Sequence, residues 1–109
     1  MNTISDIIAY LKGRTANVTC IGKDGLIELM HSLGFEHTEG KAFGHKNFKH
    51  TYLSTQTKNV DDAVHFIGVS IDCGHGNGAK IKKPYVNKII KMLEMYTDYL
   101  DDFLQLQGK

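Results

Sequence analysis

The 109-residue sequence predicts a single α+β domain, in which a three-stranded antiparallel sheet is covered by helices on one face. Two observations support this fold class. Apolar residues follow helical spacing near both ends of the chain, and β-branched residues with strand-like alternation occupy its middle. The chain length and the 41% hydrophobic content suit one modest core. We therefore expect residues 1–109 to form one domain.

Two short helices are predicted in the first third of the chain. Residues 3–6 match a capping-box pattern, and a helix should follow to about Gly13. Its apolar face consists of Ile4, Ile7, Ile8 and Leu11. Residues 16–22 are compatible with either a brief strand or an anchored linker. A second helix should begin near Lys23 and end at Gly34, which stands where a left-handed C-terminal cap is usual.

The middle of the chain predicts three strands. Residues 35–39 and 45–54 should form the first two, joined by a short turn. The polar residues 55–62 then predict a hairpin loop. Residues 64–71 are rich in β-branched side chains, which are typical of a buried strand. The side chains that should face the core in this strand are Ile67, Val69 and Ile71.

A long last helix is predicted over residues 84–106, because Pro84 suits a first helical turn and a continuous apolar stripe follows. At 1.5 Å per residue this helix would be roughly 34 Å long, which is more than a three-stranded sheet needs for cover. Its C-terminal half should therefore pack on the first helix. Without that first helix, the order of elements is the α-β-β-β-α order of the double-stranded-RNA-binding fold, in which one sheet face stays open.

Charge, cysteine content and apolar runs indicate which surfaces, which redox state and which location to expect for this protein. The net charge of +1 gives no global cationic field, so a nucleic-acid surface must be local. Cys20 and Cys73 are too few for a disulfide framework and form no CxxC pair, so we expect reduced thiols. The N-terminus lacks a signal-like pattern, and no apolar run approaches the roughly 18 residues of a membrane span. These features predict a cytoplasmic protein without membrane association.

Lysines form a local basic patch before the last helix. Residues 73–93 contain five lysines and no acidic residue. Three of them, Lys80, Lys82 and Lys83, precede or begin the helix, where the helix dipole also favours anions. They predict a phosphate-binding edge, although a solvated charged face is the alternative.

Four short segments resemble the core of the HicA toxin family. Residues 24–30 (DGLIELM) and 33–35 (LGF) are similar to its first helix and the turn that follows, and residues 48–50 (FKH) to its second strand. Residues 69–75 are similar to a third strand that ends at a histidine, and residues 80–93 to a basic approach to the last helix. The order and spacing of the four segments carry the resemblance.

The resemblance covers residues 23–93. Residues 1–20 form an N-terminal helical extension and residues 94–109 extend the last helix. The family's second block reads Gly-Ser-His-His-x-Phe-Arg-His, and alignment on its phenylalanine places His45 on the first histidine, which the family uses for catalysis. The sequence departs from the block where Phe43-Gly44 replaces Gly-Ser and where Lys46 and Asn47 follow His45.

The resemblance implies a metal-independent endoribonuclease that cleaves mRNA and is the toxin of a toxin–antitoxin system, with a HicB-like protein as its antitoxin. It implies no cofactor and no metal. The expected catalytic residue is His45. The residues expected to contact RNA are Gly44, Lys46, Lys49, His75, Lys80, Lys82 and Lys83.

His45 is also a candidate without the resemblance. RNA is cleaved when a base removes the 2′-hydroxyl proton and the oxygen attacks the adjacent phosphorus, and imidazole suits this task near neutral pH. A surface histidine without a function is the alternative. His50 is expected to be structural, and His65 partly buried. His31 and His37 carry no pattern and are expected to face solvent.

Two other functions stay open at the level of the sequence. The first is a non-catalytic RNA-binding module of the same fold, favoured by the altered residues around His45. The second is a metal site built from Cys73, His75 and one of three other histidines, because a Cys-Gly-His spacing lets one loop supply two ligands. Those three histidines are His45, His50 and His65. The RNA target, the existence of an antitoxin and the oligomeric state also stay open.

Overall fold

The computed structural model describes residues 3–42, 44–74, 76 and 78–108. Within these residues the chain forms five helices and one three-stranded antiparallel sheet of order β1-β2-β3, which confirms the α+β class. The elements are α1 (Ile4–Lys12), α2 (Leu26–Ser32), β1 (Glu36–Glu39), β2 (His45–Lys49), α3 (Thr51–Thr57), β3 (Val69–Asp72), α4 (Lys83–Met95) and α5 (Thr97–Gln107). Among the helices of this described part, none is both long and apolar enough to cross a membrane.

The N-terminal helix α1 forms as its capping pattern predicts. The Thr3 hydroxyl accepts a hydrogen bond from the Asp6 amide at 3.1 Å, which satisfies one of the free amides of the first turn. The buried side chains of α1 are Ile4, Ile7 and Leu11. The helix packs on α4 and α5, so the prediction that it covers the last helical segment is confirmed at the level of the elements.

The sheet has one apolar face and one polar face. Helix α2 packs against β1 and helix α4 against β3, on the face that carries Phe48, Val69 and Ile71. Because side chains alternate along a strand, the neighbours of these residues lie on the other face. We call it the open face, and its residues are Glu36, Thr38, His45, Asn47, Lys49, Ser70 and Asp72.

The second strand is shorter than predicted, because β2 ends at Lys49 and α3 occupies most of the expected strand end and loop. The cause is His50, whose ring nitrogen Nδ1 accepts the Leu53 amide at 3.3 Å and so starts a helix. Leu53 and Thr57, one helical turn apart, are both buried. The Thr57 hydroxyl in turn accepts the Phe66 amide at 2.8 Å.

The third strand is also shorter than predicted. Residues 64–68 run outside the sheet, because Val69 already pairs with Phe48 near the end of β2 and no strand lies beside the preceding residues. Phe66 anchors this segment in the core, packing edge-on against Phe35. The prediction that Ile67 faces the core is therefore wrong. His65, expected to be partly buried, is exposed.

The long last helix is broken at Tyr96, where the prediction of a continuous helix fails. Tyr96 has φ −107° and ψ 19°, and its hydroxyl donates to the Val64 carbonyl at 2.7 Å. The Thr97 hydroxyl donates back to the Leu93 carbonyl at 2.8 Å. After the break, α5 packs on α1 and α3.

The two cysteines form a disulfide, so the expectation of reduced thiols is wrong for this structure. Their Cα atoms lie 5.7 Å apart although 53 positions separate them in sequence. An isolated antiparallel bridge between Thr19 and Lys80 holds residues 18–20 beside residues 80–81, and the disulfide joins Cys20 to the residue that follows β3. Residues 16–22 thus form an anchored linker with one bridge.

Candidate functional site

The central feature of the open face is a pair formed by His45 and Asp72. The first residue of β2 lies directly across from the last residue of β3, and the Nε2 atom of His45 lies 3.7 Å from the Oδ2 atom of Asp72. The Cys73 amide donates a hydrogen bond to the Gly44 carbonyl, so these two residues form a hydrogen-bonded pair of the antiparallel ladder. Because hydrogen-bonded and non-hydrogen-bonded pairs alternate, His45 and Asp72 form a non-hydrogen-bonded pair, in which the side chains lie closer together. Both side chains keep contact with solvent, at 46% and 34% exposure.

The Asp72 carboxylate is held in place by the backbone. Its Oδ1 atom accepts the Gly74 amide at 2.8 Å, which leaves Oδ2 turned to His45. A carboxylate fixed in this way can orient an imidazole and stabilise the charge that the ring gains when it takes up a proton. The pair therefore has the residue types of a general base and its orienting group, at a separation of 3.7 Å that is longer than a hydrogen bond.

Gly44 allows the backbone before β2 to pack closely against the backbone after β3, next to this pair. It has φ +86°, and a Cβ atom at this position would lie 2.6 Å from the Gly74 carbonyl oxygen. The Gly44 carbonyl accepts the Cys73 amide at 2.8 Å, so the close approach belongs to the pairing of the two strands. Any larger residue would push His45 and Asp72 apart.

A cleft of about 470 Å³ lies at the same end of the sheet. The disulfide, the turn after β1 and the glycine-rich segment after β3 form its walls. The residues that line it are Cys20, Ile21, Glu39, Gly40, Lys41, Ala42, Gly44, Lys46, Cys73, Gly74, Gly76 and Ala79. His45 lies on the open face, next to Gly44 at the rim.

The remaining open face is polar around His45. The Ser70 hydroxyl donates to Asn47 Oδ1 at 2.5 Å across the strands, in the next pair along from His45–Asp72 on this face. Lys49, expected to contact RNA, is exposed on the same face. The open face thus offers a lysine and hydrogen-bonding groups beside the candidate base.

Lys46, also expected to contact RNA, lies on the opposite face of β2 from His45. Its ammonium group forms an ion pair with Glu39, the residue across from it on β1. Its charge is therefore partly neutralised. The structure does not bring Lys46 together with the His45–Asp72 pair.

The three lysines of the predicted phosphate edge are all exposed. Lys80 donates to the Asn17 side-chain oxygen at 2.8 Å and follows Ala79, which lines the cleft. Lys82 is the N-cap of α4 and makes no side-chain capping bond, and Lys83 is the first residue of the helix. The prediction for His75 lies outside the described residues.

His50 has a structural role, in agreement with the sequence. Its Nδ1 atom accepts the Leu53 amide, so Nε2 carries the proton and donates to the Leu33 carbonyl at 2.9 Å. The rings of Phe35 and Phe103 pack edge-on, each with its centroid 4.7 Å from that of His50. Burial lowers the pKa of His50, because the charged imidazolium would lose its hydration.

These contacts remove the basis of the metal hypothesis. Cys73 is bonded to Cys20, and both ring nitrogens of His50 already have partners. In the described ranges, no three His, Cys, Asp or Glu side chains converge to hold a metal ion. The prediction of a site built on Cys73 is therefore wrong.

Comparison with models of protein families, with curated proteins and with solved structures finds no match to this chain. The likeness to the HicA family therefore stays a prediction from the quoted segments.

Sequence reasoning did not find Asp72 as the partner of His45. An acidic residue at the end of a strand, two positions before a glycine, is a faint signal, and only the strand register shows which side chain it meets. It also missed a contact between His31 and His37. Their rings stack with centroids 4.9 Å apart and nitrogens 2.8 Å apart, with His31 exposed and His37 half-buried.

Proposed function

We propose that this protein is a metal-independent endoribonuclease that cleaves mRNA, with His45 as the proton-transfer residue. The observation that carries the proposal is the His45–Asp72 pair on a polar and open sheet face. The resemblance to HicA toxins points to the same histidine. It also supports the proposal that the protein is a toxin held inactive by a HicB-like antitoxin.

The proposed reaction uses the two ring nitrogens of His45 differently. Nε2 faces Asp72, so Nδ1 is available to take the proton of an RNA 2′-hydroxyl. The 2′-oxygen attacks the adjacent phosphorus, and the bond from phosphorus to the 5′-oxygen breaks. The imidazolium or water returns a proton to the leaving oxygen. The products are a 2′,3′-cyclic phosphate and a 5′-hydroxyl, and no oxidant or metal takes part.

Cations near the pair are proposed to hold the RNA backbone. Lys49 shares the open face with His45, and Lys80, Lys82 and Lys83 lie exposed beyond the cleft. Contacts of this kind position phosphates without reading sequence. Gly44 supports this arrangement by letting the two strands close up beside His45 and Asp72.

The cytoplasm is the proposed location, since mRNA is the proposed substrate. The cytosol keeps most thiols reduced, so the state of the Cys20–Cys73 pair in cells bears on this part of the proposal. Rapid alkylation of thiols in intact cells would measure it.

The test is cleavage of a labelled RNA by purified protein and three variants. His45→Ala should lower the rate about 10²- to 10⁴-fold, the usual contribution of a general base. Asp72→Asn should also lower it, because the amide cannot stabilise an imidazolium. His65→Ala is the matched control, since His65 is an exposed histidine outside the sheet. Activity should persist in EDTA, and the product should carry a cyclic phosphate. Full activity in His45→Ala would contradict the proposal.

A non-catalytic RNA-binding module is the second candidate. It is favoured by Lys46, which is paired with Glu39 and stands where the HicA pattern has a second histidine. In that case the native protein binds RNA and leaves it intact. Changing Lys80, Lys82 and Lys83 to alanine should then weaken binding of unrelated RNAs equally and flatten its salt dependence.

A further inference from the structure

The surface beside β3 exposes apolar side chains that the fold does not use. Ile67 is 79% exposed, Val64 is 64% exposed and Met95 is 59% exposed. They flank or line a groove of about 410 Å³ between residues 65–69 and α4. We call it the β3 groove, and its lining is His65, Phe66, Ile67, Gly68, Val69, Lys88, Lys91, Met92, Met95 and Tyr96. Exposed apolar patches of this kind commonly mark interaction sites.

The groove reaches the sheet at Val69, the first residue of β3, which is an edge strand of the sheet in the described residues. β3 is the last strand of the sheet, with β2 on one side only. The bond from the Cys73 amide to the Gly44 carbonyl fixes the alternation, so the backbone groups of Ser70 and Asp72 point away from β2. The Ser70 carbonyl accepts a hydrogen bond from Lys88 at 3.1 Å, so this outward group already accepts from a side chain. An extended segment laid along β3 would share or replace this bond and would meet the outward groups of Asp72 as well.

The charge of the β3 groove indicates which kind of extended segment it would bind. Lys88 and Lys91 line it, and no Asp or Glu is among its described lining residues. Two copies of this chain paired edge to edge would bring their lysines together, which disfavours self-association. An acidic strand is complementary to this edge, and its apolar side chains would cover Ile67 and Met95.

We propose that the β3 edge binds an extended segment of a protein partner, with alternating apolar and acidic residues, as a fourth strand of the sheet. Main-chain hydrogen bonds to the outward groups of β3 would give affinity, and the groove and its lysines would give specificity. The proposal stands independently of the ribonuclease activity.

The experiment uses the full chain labelled with ¹⁵N and a synthetic peptide of alternating valine and glutamate. Addition of the peptide should shift the amide resonances of residues 64–72 in NMR spectra. It should also slow hydrogen exchange at the Ser70 and Asp72 amides, which point outward. A peptide of alternating valine and lysine is the charge control, and it should bind more weakly.

Two matched variants test the location. Ile67→Ser removes an apolar side chain from the groove without changing its charge, and should weaken peptide binding at least about tenfold. Leu106→Ser makes the same kind of change at a residue of α5 that is 57% exposed, and should leave binding unchanged. Both positions are exposed, so neither variant should disturb folding. Circular dichroism of each would verify this.

Four results would overturn the proposal. The first three are the absence of peptide-induced shifts at millimolar peptide, equal binding of the lysine peptide, and equal binding by the Ile67→Ser variant. The fourth is evidence for another occupant of the edge. A concentration-dependent dimer abolished by Ile67→Ser would assign the edge to a second copy, and an RNA that alone shifts the same residues would assign it to nucleic acid.

Discussion

Reduction of the disulfide should cost this protein a large part of its stability. The bond between Cys20 and Cys73 closes a loop across 53 positions of sequence. On the chain-entropy model, a crosslink over such a loop lowers the entropy of the unfolded chain enough to stabilise the fold by about 4 kcal/mol. Both cysteines are buried and lie in the hydrophobic core, so the reduced thiols would still be packed. The loss should therefore reflect mainly the unfolded state.

Urea denaturation with and without dithiothreitol measures this effect. With a slope of about 2 kcal/mol per molar urea, the midpoint should fall by about 2 M on reduction. A Cys20→Ala, Cys73→Ala double variant is the control, and its midpoint should not respond to the reductant. Superimposable curves for the native protein with and without reductant, after thiol titration has confirmed reduction, would refute the reasoning.

Two further predictions concern the core. Burial lowers the pKa of His50 below its unfolded value of 6.5, so the unfolded chain binds more protons than the folded chain just below that pH. The free energy of unfolding should therefore keep its full value above pH 6.5 and decline as the pH falls below 6.5. His50→Gln should flatten this decline and His65→Ala should not, as measured by urea melts across pH; an unchanged slope in His50→Gln would show that other groups cause it. Ile7→Ala should lower the free energy of unfolding by about 2–5 kcal/mol, because Ile7 is buried beneath α4 and α5, whereas the half-buried Ile8 should cost less when changed to alanine. Equal and small losses at both positions would mean that α1 is loosely attached.

The parts of the fold that sequence predicted well depend on neighbouring residues. The start of α1 is specified by Thr3 and the apolar period that follows it, and α2 by its own apolar face. The sequence predicted the wrong secondary structure where a contact with a residue distant in sequence determines the local conformation. The ring of His50 starts a helix inside a strand-like pattern, and the hydroxyl of Tyr96 meets Val64 at a break in a continuous apolar stripe.

The candidate site shows the same division. His45 was selected because it aligns with a histidine of the HicA block, and its place after a glycine at the start of a strand suits the proposed role. Asp72 was not found, because the pairing depends on the register between β2 and β3, and a shift of one residue would place it on the other face. The Cys20–Cys73 bond likewise joins residues whose proximity no local pattern indicates.

The packing of Phe103 against His50 has a consequence for biosynthesis. Gly34 has φ +93°, and a Cβ atom there would overlap the Phe103 ring, so α5 lies directly over the turn before β1. A nascent chain that has emerged only as far as Tyr96 lacks the Phe103 ring that packs on His50. This part of the core therefore receives its cover from α5, the last helix to be synthesised.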